Sequence, residues 1–314
     1  MYDLKISGGF VVDGTGAPGR IMDVGIVGDR IVAVGNLDES AREEIDAAGR
    51  IVAPGFVDIH THYDGQATWD QEMAPSAWHG VTTVVMGNCG VGFAPAAPER
   101  QDWLIGLMEG VEDIPGSALA EGMTWDWESF PDYLNALEKL DRTIDVAAQV
   151  PHGAVRAYVM GDRGAANEAP TDSDIARMAS IVEEGLAAGA VGFSTSRTIL
   201  HKSVEGELVP GTTATKEELL GIGDALKRAG HGVFELASDL HPDWDEFGWM
   251  GDLSRDTGAA VAFTALESPI KGLSFAQQLA EMRVQNDAGA QIVAQISMRG
   301  TGLILGWRAT FHPF

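Results

Sequence analysis

Val52-Ala53-Pro54-Gly55-Phe56-Val57-Asp58-Ile59-His60-Thr61-His62 is the stretch on which the reading of this chain turns. An apolar run that ends in two histidines one residue apart reads as a strand with a chemical tip. Side chains alternate along a strand, so His60 and His62 face one side with Asp58, while Val57 and Ile59 face the other, into packing. Imidazoles paired in this way suit a transition metal such as zinc. Pro54 and Gly55 set the strand off from what precedes it. A solvated strand end that happens to carry two histidines is the plainer alternative. The position, after an apolar strand and about where a barrel would begin, favours the metal.

Outward from this stretch the chain changes character. Before it, Val24 to Val27, Gly28-Asp29 and Ile31 to Val34 read as a hairpin, and Ile51 to Ala53 as a further short strand, so residues 1–54 form a small β-domain. After it, residues 55–314 alternate strands with helices. The second strand is Thr82 to Gly87, the third Ile144 to Val150, the fourth Ala190 to Ser194 and the fifth Gly232 to Ala237. Ala259 to Leu266 and Gln291 to Ile296 continue the series. Thr171 with Asp174, and Thr215 with Glu218, resemble capping boxes. Gly189 and Gly230 end the helices that follow, and Ser274 opens another that stops at Gly289. Repeated β-α units imply an α/β fold of (β/α)8-barrel type, with about seven strands present and the eighth missing. The chain stops at His312-Pro313-Phe314 without a cap signal, so it reads as the front portion of a longer protein.

Bulk properties narrow the function. With 21 Lys and Arg against 46 Asp and Glu, the formal charge of -25 argues against nucleic acid or an anionic membrane as partner. A single cysteine, Cys89, forms no internal disulfide and fits a reducing compartment. The N-terminus has no apolar core of signal-peptide type, and no stretch is long enough to span a bilayer. The expectation is a soluble, cytoplasmic protein that acts on a small molecule.

Active sites of such barrels gather at the carboxyl ends of the strands. Cys89, in Gly87-Asn88-Cys89-Gly90, follows the second strand, and its thiolate joins His60 and His62 as a candidate ligand. Ser194 and Ser196 share a face at the end of the fourth strand, and beside them Arg197 is placed to hold a carboxylate by two parallel bonds. These three are the candidate substrate-binding residues. Glu235 stands inside the apolar fifth strand, where an unpaired carboxylate is expensive, and is the candidate catalytic carboxylate. His152 reads as structural and His201 as a solvent-facing loop residue. His79, His231, His241 and His312 carry no recognisable spacing.

Four stretches, taken in order, resemble the amidohydrolase superfamily and within it the N-acyl-D-amino-acid deacylase family. They are Asp13-Gly14-Thr15-Gly16, the run from Ala53 to His62, the run from His79 to Gly90, and Gly189-Ala190-Val191-Gly192-Phe193-Ser194-Thr195. The resemblance implies a small β-sandwich beside a metal-bearing barrel, with one or two zinc ions and with His60, His62 and Cys89 matching family metal ligands. It implies hydrolysis of the N-acyl amide of a D-amino acid. The family places histidines at the ends of the fifth and sixth strands. This chain has Phe234-Glu235-Leu236-Ala237-Ser238 and Ala262-Phe263-Thr264-Ala265-Leu266 there. The family's proton-shuttling aspartate belongs to the eighth strand, and Glu235 is its one substitute within this chain. The alternatives are a cyclic-amide hydrolase of the same superfamily, which resembles a design with a carboxylated lysine on the fourth strand, and a catalytically inactive fragment or fold homologue.

Overall fold

The computed structural model describes residues 1–266 and 272–297, so the chain end and His312 lie outside the described residues. It divides into two compact units, Met1–Phe56 and Val57–Phe314.

The first unit is one five-stranded sheet. β1 (Tyr2–Val11) lies between β2 (Arg20–Val27) and β4 (Ala41–Asp46), β3 (Arg30–Gly35) borders β2, and β5 (Ile51–Val52) extends the β4 side. β2 and β3 form the hairpin expected at Gly28-Asp29, with Val27 opposite Arg30. Gly8 has a positive φ of 69°, at a register shift in β1, where its N–H reaches Asp23 Oδ1 at 2.8 Å. Of the expected sandwich, the described residues supply this one sheet. Ile21, Ile31, Val32 and Val34 remain exposed on it.

The second unit is a sheet whose strands follow sequence order: β6 (Phe56–Asp58), β7 (Val81–Met86), β8 (Asp145–Pro151), β9 (Gly192–Arg197), β10 (Val233–Ser238), β11 (Ala260–Thr264) and β12 (Ile292–Gln295). Each pair from β7 to β12 is parallel. Helices fill the connections: α1 (Gln101–Glu112), α2 (Gly116–Gly122) and α3 (Phe130–Glu138) after β7, then α4 (His152–Met160), α5 (Asp162–Ala165) and α6 (Asp172–Ala188) after β8. α7 (Lys216–Ala229), α8 (Glu246–Thr257) and α9 (Phe275–Asp287) follow β9, β10 and β11. None of the described helices is long and apolar enough to cross a membrane.

Strand alternation sorts the side chains. Val84, Met86, Val150, Phe193, Phe234, Leu236, Val261 and Phe263 are wholly buried. Phe234 packs on Trp249, and Phe263 on Phe247, both from α8. The opposite, concave face carries Val85, Gln149, Val233, Ala262, Val293 and Gln295 around a cavity of about 300 Å³. β6 departs from expectation. It ends at Asp58, so alternation does not carry through to His62, and Val57 and Ile59 stay 54% and 50% exposed rather than packed. Among the described residues β6 has a neighbour on one side only, which leaves such side chains half covered.

Most of the helix punctuation follows the sequence. Thr171 with Asp174 and Ser274 with Gln277 form complete capping boxes, and Gly189 and Gly230 close their helices in the left-handed conformation. Thr215 caps only one way. Glu218 gives its N–H to Thr215, but its carboxylate turns into the core to bind Arg156 and His152.

Candidate metal centre

The loop after β6 and the loop after β7 meet at the carboxyl end of the sheet. Thr61, between the two histidines, joins them: its N–H and Oγ1 both donate to Val85 O, at 3.0 and 2.8 Å. Buried Asn88 crosses the junction, donating from Nδ2 to Thr61 O and Val85 O while its Oδ1 accepts from Gln149 Nε2. These bonds fix the backbone that carries His60 and His62 to the backbone that carries Cys89.

The Gly-Asn-Cys-Gly turn has little freedom. Gly87 has a φ of 76°, and a Cβ there would stand 2.2 Å from Gln149 O; at Gly90, φ 70°, one would stand 2.9 Å from Ser196 N. Cys89 itself has a φ of 56°, uncommon for a residue with a side chain. The surroundings hold it there. Its N–H donates to Glu235 Oε2 at 3.0 Å, and Gly90 N–H donates to Ser194 Oγ at 2.9 Å. Ser194 Oγ in turn donates to Gly87 O.

The result is a convergence of donors. His60 Nε2 lies 3.2 Å from Cys89 Sγ, and one ligand atom each from His60, His62 and Cys89 fall within 4.8 Å of one another. Among the described residues, His62 Nδ1 and Glu235 Oε1 are buried with no hydrogen-bond partner. The charge states point the same way. Burial pushes the Cys89 thiol well up, with Glu235 and Glu112 adding to it, and pushes Glu235 up to about 8. Burial also holds His60 and His62 below their ordinary value. Thiol and carboxyl groups kept protonated beside neutral imidazoles are what a bound cation reverses. Two imidazoles and a thiol form a donor set suited to zinc, and the unpartnered His62 nitrogen gives the fit a structural mark.

A cavity of about 330 Å³ opens on this cluster, lined by His60, His62 and Cys89 together with Glu112, His201, Asp239 and smaller groups. Three of these were not expected. Glu112 ends α1 with Oε1 3.2 Å from His62 Nε2, and burial followed by Asp64 raises its carboxyl to about 7. His201 is not solvent-facing. Ser196 Oγ holds its Nδ1 at 3.0 Å, and burial lowers its pKa to about 4. Asp239 ties down the loop between them, accepting from Ile199 N–H at 2.9 Å and from Thr198 Oγ1.

The other expected site residues sit around the cavity rather than on it. Glu235 is wholly buried beside Cys89, whose N–H it accepts, with Oε1 3.8 Å from His60 Nδ1, and it is not part of the cavity wall. Ser194 likewise braces the turn, and Ser196 orients His201. The carboxylate clamp expected of Arg197 is filled from within: its Nε reaches Glu246 Oε1 at 2.8 Å, its Nη1 donates to Ala214 O, and its guanidinium lies over Trp249. His152 is structural as expected, wholly buried between Thr195 and Glu218.

A profile described as the amidohydrolase family matches residues 43–298. D-aminoacylase of Alcaligenes xylosoxydans xylosoxydans is 38% identical over 230 residues, which make up 73% of this chain and 43% of that protein, so the chain spans less than half the length of this relative. A solved D-aminoacylase with a binuclear metal center superimposes with a TM-score of 0.77 at 32% identity, over 94% of this chain and 58% of the other. N-acyl-D-glutamate deacylase from Bordetella bronchiseptica, solved with zinc and a phosphonate inhibitor that mimics the tetrahedral intermediate, gives a TM-score of 0.71 at 29% identity over the same shares of each chain.

Proposed function

Since the chain belongs to the amidohydrolase family, we propose that it carries the metal site of a zinc-dependent hydrolase that cleaves a linear amide, the N-acyl group of an N-acyl-D-amino acid. The observation that carries this is the convergence of His60, His62 and Cys89 at the mouth of a cavity. What the relatives act on supplies the substrate class. Zinc at those three residues supplies an activated water and polarises the scissile carbonyl.

The chain's own groups do the rest. Leu200 and Leu266 give the cavity an apolar wall for the acyl group, and Thr198, Ser238 and Thr264 offer hydroxyls. Glu112, with its carboxyl raised to about 7, is the wall group suited to hold a proton at neutral pH and pass it to the leaving nitrogen. His201, held at Nδ1 by Ser196, leaves Nε2 for the substrate. Where a cyclic-amide hydrolase of this superfamily resembles a design with a carboxylated lysine, β9 has Ser194 and Ser196, which argues for the linear amide. A lone cysteine serving as ligand calls for a reducing compartment, the cytoplasm.

The test is zinc analysis followed by amine release from N-acetyl-D-amino acids, N-acetyl-L-amino acids and a hydantoin. Stoichiometric zinc, release from the D-series first, and loss of both with His60→Ala are expected. A chain without stoichiometric zinc, unaffected by His60→Ala, overturns the proposal.

A further inference from the structure

Arg156, Glu218 and His152 are buried together and bond to one another. Arg156, on α4, donates from Nη1 to both carboxylate oxygens of Glu218, on α7, at 2.7 and 2.9 Å. Glu218 Oε1 also meets His152 Nε2 at 3.1 Å. A carboxylate paired with a guanidinium can only accept, so His152 donates from Nε2. Burial holds the imidazole below its ordinary pKa, so the ring carries one proton. Its Nδ1 is therefore left to accept from the Thr195 hydroxyl, at 2.8 Å.

A buried ion pair is a poor device for stability alone, since apolar side chains of similar volume often do as well. What distinguishes this one is where its bonds lead. Gly153, next after His152, donates its N–H to Gly90 O at 2.9 Å. Ser194, next before Thr195, accepts the Gly90 N–H at 2.9 Å. Both backbone groups of Gly90, the neighbour of Cys89, thus bond to residues adjacent to the His152–Thr195 pair. Ser196, on the other side of Thr195, holds His201 Nδ1 at 3.0 Å. The segments meet without slack. A Cβ on Gly153 would stand 2.8 Å from Gly90 O, and one on Gly90 would stand 3.0 Å from Thr195 Cα. An interior packed so closely passes a displacement on rather than absorbing it.

We propose that Arg156 and Glu218 are positioning residues of the metal centre, acting through His152. Their ion pair fixes the His152 ring, and the ring fixes Thr195. The residues next to these two, Gly153 and Ser194, then hold Gly90 and with it Cys89, while Ser196 carries the same constraint to His201. This inference rests on the metal reading proposed above, and its test separates the two.

The experiment uses the full chain and two double variants, both of which remove the ion pair. Arg156→Met with Glu218→Gln keeps an acceptor oxygen for His152, whereas Arg156→Met with Glu218→Met does not. By chelator competition, zinc affinity should stay close to wild type in the first and fall about 10-fold or more in the second. The visible spectrum of the cobalt-substituted protein should shift in the second as Cys89 moves, and hold in the first. Thr195→Val leaves the ion pair whole and cuts its link to β9. It should behave as the second double variant does, and it stands alone as the test where a double variant does not fold. A wild-type chain that binds zinc, with affinity and spectrum unchanged in Thr195→Val, overturns this inference alone. Equal losses in the two folded double variants also overturn it, since the His152 bond would then carry nothing to the metal. A wild-type chain that holds no zinc overturns the metal reading and this inference with it.

Discussion

The carboxylate of Glu235 accepts the backbone N–H of Cys89 at 3.0 Å, across 146 residues of chain, and this bond sets how the thiol is presented. Among the described residues, Glu235 is the only acceptor for an N–H held at a φ of 56° in a buried turn. Glu235→Leu strands that N–H and should cost about 1–3 kcal/mol in urea denaturation. Glu235→Gln keeps an acceptor oxygen and should stay within about 1 kcal/mol of wild type. If Glu235 carried the reaction's proton instead, Glu235→Gln would keep its zinc and lose amide cleavage by about 100-fold or more.

The protonation of the cluster gives a second expectation. With the Cys89 thiol raised well above its ordinary range and Glu235 at about 8, the metal-free site holds protons that a thiolate-bound cation must displace. Zinc titration at pH 7 should therefore release about one proton or more per ion. Calorimetry in two buffers of different ionisation enthalpy measures it. Equal heats in both buffers would mean that the thiol stays protonated and is not a ligand.

Much of this centre is legible in residues that act through local spacing. The His60-Thr61-His62 pair follows an apolar strand, and the Gly-Asn-Cys-Gly turn requires positive φ at its glycines, so both stand out along the chain. Glu112 and His201 do not. One reaches the cavity from the excursion between β7 and β8 and the other from the loop after β9, and only the folded sheet brings them to His62 and Ser196. Glu112 leaves one faint sign, the acids Glu109, Glu112 and Asp113 crowded at a helix end that prefers positive charge. Arg197 misleads for the same reason. A guanidinium at a strand end looks free until Glu246, from α8, occupies it. Glu218 shows tertiary demand overriding a local motif, since its carboxylate leaves the cap for Arg156.

The turn's glycines can be tested against a control. At Gly87 a methyl group would meet Gln149 O at 2.2 Å, whereas at Gly14, with a similar φ of 80°, nothing lies within 4 Å. Gly14→Ala should cost about 1–2 kcal/mol, the penalty of the left-handed conformation alone. Gly87→Ala adds a collision with the backbone of β8 and should cost about 4 kcal/mol or more, with zinc binding lost as the turn shifts. Equal costs by denaturant titration would show that β8 yields to the methyl group and that the turn is not held from outside.

Away from the metal, His152 ties stability to pH. Its Nδ1 meets Thr195 Oγ1 at 2.8 Å and its Nε2 meets Glu218 Oε1 at 3.1 Å. Burial holds its pKa below the ordinary 6.5, against the pull of Glu218. The unfolded chain thus takes up a proton near pH 6.5 that the folded chain refuses, and stability falls as pH drops below that value. Glu218 acts with the same sign in a lower window. Burial alone would raise it, but His152 and Arg156 outweigh burial and hold it below the ordinary 4.5, so its contribution is lost only in stronger acid. His60, His62 and His201 are also depressed, so the total acid sensitivity is shared, and a variant is needed to isolate one group. His152→Gln removes the titration and leaves a polar group for Thr195. Between pH 6.5 and 5.5, wild type should lose up to about 1.4 kcal/mol per pH unit more than His152→Gln in urea titrations. Parallel slopes would mean that His152 accepts its proton in the folded chain, with Glu218 as the counter-charge that makes room for it.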